Sequence, residues 1–336
     1  MHILIVGAGL SGLTAGVLLK EAGYNVTVVE SRPWIGGNCC DDQVDGLLVH
    51  KYGPHIFHTN NEQVWKFVNR FSTFAPYSHR VLARTAHPCL LSIPYNKTTE
   101  QTIGRQLRDN EIVNLFFKDY SQKMWGMGWD NLPDSVRSRV PQRRDDADQR
   151  YFTDTYQGMP EHGFSTLCHR MVRFIGEQNV HCNMRDDYWT LVEADHIVFT
   201  GSIDDYYAYT HGVLPYRTLD IEVIHDFPGQ EAAVVNECNR LPFTRTTDYS
   251  WFYGVGSMKT TVTREYPRQF NAASPSDVRY YPMHWGGGEL MYNEYLVLKP
   301  TIPTTFCGRL GAYRYMNMDD AILDTMTKMK KLIGEV

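Results

Sequence analysis

The chain has 336 residues, 43% of them hydrophobic, and a net charge of −5. That supports a buried core of about two to three units and argues against non-specific nucleic-acid binding, while a local anion pocket stays compatible. Apolar runs are too short to span a bilayer and the seven cysteines form no C-x-x-C pair; no signal peptide and no membrane partner are expected, and the location expected is a reducing cytoplasm with free thiols.

The first strand, Ile3 to Val6, runs into Gly7-Ala8-Gly9-Leu10-Ser11-Gly12. A helix over Leu13 to Ala22 and a strand over Asn25 to Val29 follow, ending on Glu30. Strand, glycine turn, helix, strand and acid in this order make a dinucleotide fold. Gly7 permits the tight turn, Gly9 lets backbone approach a pyrophosphate, and Gly12 allows helix and strand to pack closely. The helix N-terminus offers N–H donors and a favourable dipole to phosphates. Glu30 is placed to hold a ribose hydroxyl.

Just after it, Arg32-Pro33-Trp34-Ile35-Gly36-Gly37-Asn38 carries a Gly-Gly pair. That is the pattern of FAD-binding proteins of the glutathione-reductase type rather than of simple NAD dehydrogenases, so FAD is the expected cofactor. His50-Lys51-Tyr52-Gly53-Pro54-His55-Ile56-Phe57-His58-Thr59 comes next. His55 and His58 could be read as metal ligands, but no matching Cys/His/Asp cluster stands elsewhere. No metal is expected; packing against an isoalloxazine ring fits better.

The nucleotide fold reads as discontinuous, over 1–72, 155–205 and 300–336. Its later parts are a helix at Phe164 to Phe174, a short strand at Val180 to Met184, and a strand at His196 to Thr200 ending on Gly201. Thr304 to Cys307 and Gly308-Arg309-Leu310-Gly311 follow, and a helix from Asp319 to Ile333 closes the chain, with Asp319 and Asp320 suited to its first turn. A polar, helical insertion occupies 97–150 and includes an arginine-rich stretch from Arg137 to Arg150. Alternating β-branched and aromatic residues predict an antiparallel sheet over 206–299, joined by 73–96. The fold class is therefore α/β: a Rossmann-like FAD-binding domain with a small helical insertion and an antiparallel β-sheet domain.

The His50–Thr59 segment resembles the one that faces the flavin in UDP-galactopyranose mutases. Further matches come in that family's order: Ser92-Ile93-Pro94-Tyr95-Asn96; Phe116-Phe117 with Tyr120, Lys123, Trp125 and Gly126; Leu132-Pro133 and Arg139 to Arg143, similar to a mobile loop; Tyr151-Phe152 and Tyr156 to Pro160; Phe199 to Asp204; Pro215-Tyr216-Arg217; Pro242 to Arg245; Tyr280-Tyr281-Pro282; and Gly308 to Tyr315. They span nearly the whole chain.

The resemblance implies interconversion of UDP-galactopyranose and UDP-galactofuranose, with no net redox change yet a need for reduced flavin. A ring nitrogen of reduced FAD attacks the anomeric carbon and expels UDP; the sugar opens as a flavin iminium, recloses through its 4-hydroxyl and is recaptured by UDP. An external reductant such as NAD(P)H is implied. Arg139 and Arg245 would clamp the diphosphate, with Arg143 as the alternative to Arg139. Tyr151, Tyr281 and Tyr315 would donate hydrogen bonds to the same oxygens. Phe117 and Tyr120 would stack on uracil, with Phe116 alongside, Trp125 would wall the sugar–diphosphate channel, and Asn96 would contact the nucleotide. Arg217 and Arg309 stand where the family places active-site or flavin-side arginines, and His58 would touch the flavin, making it a catalytic candidate with Arg139 and Arg245. The cofactor set is Gly7, Gly9, Leu10, Ser11, Gly12, Glu30, Ser31, Arg32, Gly37, Asn38, His55, Ile56, His58, Gly201, Arg309, Tyr315 and Met318.

Nineteen residues separate Asn96 from Phe116, so the helical domain is shortened and any homodimer is altered relative to the family. Asn317 stands where the family often has an acid, and Ser202 replaces a usual proline. The alternatives are an FAD-dependent oxidoreductase of the amine-oxidase type, which would not need the Tyr–Arg constellation, and a non-catalytic UDP-sugar binder.

Overall fold

The computed structural model describes residues 1–138, 142–184, 192–254 and 260–334. Strand His2–Val6 lies at the centre of a five-stranded parallel sheet. Asn25–Val29 and then Val180–His181 flank it on one side, His196–Phe199 and then Thr304–Phe306 on the other. Period-2 geometry sends Ile3 and Ile5 into the main core and Leu4 into a second cluster with Val29, Ile197 and Phe199. Both faces are covered, which is why the strand reads as an unbroken apolar run.

Helix Leu10–Glu21 covers the first face and packs against Gly163–Ile175 and Met318–Ile333. Small residues permit this: a methyl at Gly16 would meet Ile175 Cδ1 at 2.7 Å. These elements match the α/β class expected, with ends shifted by a few residues.

The second sheet has seven strands, in the order Tyr281–Pro282, Tyr216–Phe227, Thr260–Gln269, Arg245–Asp248, Val234–Glu237, Val81–Arg84 and Leu91–Ile93. Several features differ from the sequence reading. Val234–Glu237 pairs in parallel with Val81–Arg84, because the earlier segment enters from a distant part of the chain. Gly288–Leu296 is a helix; Glu289, Leu290 and Met291 are strong helix formers and there is no strand alternation. Phe74–Pro76 pairs with Tyr156–Pro160 in a separate three-stranded sheet that also holds Phe57–Thr59.

The insertion is helical at Lys97–Ile103, Asp109–Ile112, Lys118–Trp125 and Asp134–Arg137, with Val113–Phe117 wound as a π-helix between the second and third. The described residues 142–150 form no helix. All seven cysteines are free thiols. Among the described residues, no helix is long and apolar enough to cross a membrane.

Candidate active site

The two glycine motifs meet. Gly9 and Gly36 pair as a parallel bridge, and Gly36 N–H donates to Ala8 O at 2.8 Å. A methyl on Gly37, whose φ is +58°, would stand 3.0 Å from Gly9 Cα, and one on Gly12 would fall 1.8 Å from Gly7 O. Bare backbone therefore forms the floor, beside the first turn of helix Leu10–Glu21, which no side chain caps. Leu10 and Ser11 open that helix, and Ser11 abuts Gly308 at the start of the Gly308–Gly311 turn of helix. Gly201 follows the neighbouring strand His196–Phe199, and Met318 opens the last helix.

Glu30 braces this floor. Its carboxylate accepts Ala8 N–H at 2.8 Å and Arg32 N–H at 3.0 Å, and the Ser31 hydroxyl lies at 3.3 Å. Arg32 donates to Asn38 Oδ1 at 3.0 Å and lies 4.6 Å from the centre of the Tyr52 ring. Its Nη1 is buried with no partner.

The His50–Thr59 segment turns beside the floor, with Ile56 buried. His50 Nδ1 accepts His55 N–H at 2.9 Å, and His55 Nδ1 lies 2.7 Å from Gly53 O. Burial, then the Arg309 charge, push the His55 imidazole down to about 4. His58 pairs with Asp154 at 3.0 Å and stacks on Phe152 at 3.7 Å between ring centres.

Across from this segment stands Arg245. Antiparallel register sets it opposite Glu265, whose side chain is 2% exposed against 25% for Arg245. Arg245 Nε and Glu265 Oε2 are 3.2 Å apart but not aligned as a hydrogen bond, so charge holds the pair and both atoms are buried without a hydrogen-bond partner. Arg245 Nη2 donates to Tyr120 Oη at 2.7 Å. Burial opposes the guanidinium charge, yet Glu265 and the phenols of Tyr120, Tyr281 and Tyr151 outweigh it and raise the pKa. Burial lifts the Glu265 carboxyl, and Arg245 opposes that lift.

Tyr281 stacks on Tyr315 at 5.3 Å and 11°. Trp125 stands edge-on to Tyr281 at 5.9 Å. Arg309 lies 5.2 Å from the centre of the Tyr315 ring and donates to Met316 O and Tyr280 O. It also opposes the burial that pushes the Cys39 thiol, next to Asn38, up to about 12. Arg309 thus joins the glycine floor to the tyrosine wall. Phe117 stacks on Trp129 at 5.2 Å, and Phe116 is buried against Tyr95.

Some expected contacts are occupied within the protein. Asn96 is fully buried and caps helix Lys97–Ile103: its Oδ1 accepts Thr99 N–H, and its Nδ2 donates to Asp148 O and Ser92 Oγ. Arg217 donates from Nε to Met124 O at 2.8 Å and from Nη2 to Lys123 O at 3.0 Å. Arg143 donates to the carbonyls of Arg150 and Tyr151. Arg139 lies outside the described residues. Asn317 is the N-cap residue of the last helix, and its N–H donates to Asp320.

Three nearby residues escaped the sequence reading. Glu265 is one alternate residue of a strand, with nothing in sequence to mark its partner. His79 is 4% exposed and close to Arg245 and His58; burial, then those two charges, push it down to about 3. Trp285 stands edge-on to Trp125 at 5.2 Å, with its indole N–H buried and unpartnered.

A family model described as UDP-galactopyranose mutase matches residues 115–315, and one described as an NAD(P)-binding Rossmann-like domain matches residues 5–71. A probable UDP-galactopyranose mutase of Klebsiella pneumoniae is 34% identical over 100% of this chain and 95% of its own length. The dTDP-fucopyranose mutase of Escherichia coli is also 34% identical, over 96% of each chain. A crystal structure of reduced UDP-galactopyranose mutase superposes with a TM-score of 0.75 at 16% identity, covering 100% of this chain and 94% of that one; at that identity the likeness is one of fold.

Proposed function

The chain belongs to the UDP-galactopyranose mutase family, and from that premise we infer that it is an isomerase interconverting UDP-galactopyranose and UDP-galactofuranose with reduced FAD. The observation that carries the reading is the gathering of Tyr120, Tyr151 and Tyr281 around the part-buried Arg245 guanidinium, which meets Tyr120 Oη at 2.7 Å. The stacked Tyr281–Tyr315 pair and Arg309 link this group to the glycine floor.

The floor suits FAD on its own geometry. Gly12 and Gly37 let the two turns pack backbone against backbone where a Cβ would intrude, the first helical turn keeps N–H donors without a side-chain cap, and Arg32 Nη1 is buried without a partner. Gly7, Gly9, Ser11 and the helix N-terminus would hold the pyrophosphate, while His55, His58 and Arg309 would border the ring system. Reduced FAD, when bound, supplies the nucleophile that a set of ordinary side chains does not.

The diphosphate leaving group carries charge that must be stabilised as the glycosidic bond breaks. Arg245 supplies it, held charged by Glu265 behind it, and Tyr151, Tyr281 and Tyr315 add phenolic donors. Arg139 supplies a second cation. Phe117 and Tyr120 stack on the base, and Trp125 walls the channel. Asn96 and Arg217 support the site through the backbone they hold. His58, fixed by Asp154 and Phe152, borders the proton movements of ring opening and closure. The reductant is an external donor such as NAD(P)H, and the seven free thiols fit a cytoplasmic setting.

A second substrate, a dTDP-6-deoxysugar, is favoured by the equal identity to the dTDP-fucopyranose mutase. The test is turnover of the dithionite-reduced protein on UDP-galactofuranose and, separately, on dTDP-fucofuranose, resolved by anion-exchange chromatography. Faster conversion of the UDP-sugar supports the assignment. Conversion of neither, by protein carrying its flavin, sinks it.

A further inference from the structure

Lys123 lies one helical turn beyond Tyr120, on the same face of helix Lys118–Trp125. Its side chain is half-buried, and its ammonium is satisfied by backbone carbonyls. It donates to Glu237 O at 2.7 Å and Phe243 O at 2.8 Å. Those carbonyls bracket the turn between strands Val234–Glu237 and Arg245–Asp248. Phe243 is two residues before Arg245, whose Nη2 donates to Tyr120. Helix and turn are thus joined twice: by Lys123 to the backbone, and by Tyr120 to the side chain that the backbone presents.

The same last turn of the helix is also held from another strand of the sheet. Arg217, on Tyr216–Phe227, donates to the carbonyls of Met124 and Lys123 in the last turn, where a helix leaves acceptors unsatisfied and favours positive charge. Gly126 closes the turn in the left-handed conformation, and a methyl there would stand 3.3 Å from Arg217 Nη1.

We propose that Lys123 is a positioning residue for nucleotide binding, and that with Arg217 it forms a two-cation clamp fixing helix Lys118–Trp125 on the sheet so that Tyr120 and Arg245 meet the sugar nucleotide together. An ammonium is strongly hydrated, and withdrawing it from water is costly unless carbonyl oxygens replace the solvent. Surface lysines tether helices loosely; this one has two fixed acceptors on the turn that carries Arg245. The clamp matters more here because the insertion is short, with nineteen residues from Asn96 to Phe116. The inference rests on the reading of Tyr120 and Arg245 as uridine-diphosphate contacts.

The test is UDP titration of the oxidised, flavin-loaded protein by calorimetry, comparing wild type, Lys123→Met, Lys123→Gln and Tyr120→Phe. Lys123→Met weakens UDP about tenfold, the equivalent of one charge-assisted hydrogen bond, with unchanged flavin content. Lys123→Gln, which keeps one donor group, weakens it about threefold. The double variant with Tyr120→Phe is weaker by less than the product of the two single effects, because both act through the Tyr120–Arg245 contact. A merely structural lysine lowers the melting temperature and leaves the dissociation constant of folded protein alone. UDP binding as tight as wild type in Lys123→Met, or in Lys123→Gln should the first variant not fold, overturns the proposal. Absence of UDP binding in the wild type defeats the functional reading itself, and is distinguished by that control.

Discussion

Replacing Arg245 by methionine separates what the arginine does for the fold from what it does for the reaction. Glu265 is 2% exposed and lies 3.2 Å from Arg245 Nε. Removing one partner of a buried ion pair leaves the other charge uncompensated, at about 3–5 kcal/mol. Arg245 retains 25% exposure, which places the loss at the low end, about 3 kcal/mol. Burial already raises the Glu265 carboxyl and Arg245 opposes that lift, so the variant's Glu265 holds a proton more readily than it does beside the arginine. A second change, Glu265→Gln, removes the orphaned charge and restores most of that stability. Turnover behaves differently: without the guanidinium the departing diphosphate loses its partly desolvated cation, and kcat falls by about a factor of a thousand in both variants. Urea unfolding of flavin-loaded protein, followed by flavin fluorescence, reads the first quantity, and product chromatography after dithionite reduction reads the second. The reasoning fails if the double variant regains turnover, or if Arg245→Met alone unfolds at the wild-type urea concentration.

Gly12→Ala drives a methyl to 1.8 Å from Gly7 O, and the purified protein should lack the 450 nm flavin band; yellow protein from this variant contradicts the cradle. Folded His79 titrates at about 3 against 6.5 unfolded, so the stability held by its neutral ring is complete above pH 6.5 and is lost as pH falls from there towards 3. His79→Phe should therefore lose about 1 kcal/mol less than wild type between pH 6 and pH 5, and equal losses in urea titrations at the two pH values would remove His79 from the account. Phe117→Ala should weaken UDP about tenfold through lost base stacking, while leaving the 450 nm band intact; unchanged affinity by calorimetry would move the base elsewhere.

The nucleotide fold was legible because its signals are local. A strand, a glycine turn, a helix and a second strand fall within thirty residues, and each glycine answers to a steric need that one position shows. That Gly9 packs on Gly37 was not legible, since the contact joins two motifs across a loop. The antiparallel sheet showed its alternation but not its order, and the parallel entry of Val81–Arg84 joins segments roughly 150 residues apart. Helix Gly288–Leu296 lay inside a region read as strands, because aromatic Tyr292 and Tyr295 suit either element.

In the site, resemblance located Arg245, Tyr120, Tyr281 and Tyr315, and the fold brings them together. It did not separate ligand contact from scaffolding. Asn96 and Arg217 sit in matching motifs, yet their polar atoms serve a helix N-cap and a helix C-terminus. Glu30 binds backbone N–H groups of the cradle it was expected to serve. A motif records that a residue type is needed at a place, and a side chain that holds backbone answers that need as well as one that touches substrate.

The central claim is that this tyrosine–arginine wall and the FAD floor form one isomerase site requiring reduced flavin. The most direct measurement is a two-tube assay, in which purified protein meets UDP-galactofuranose with and without dithionite and the sugar nucleotides are separated by anion exchange. UDP-galactopyranose should form in the reduced tube alone. Equal conversion in both tubes, or none in either with flavin bound, contradicts it.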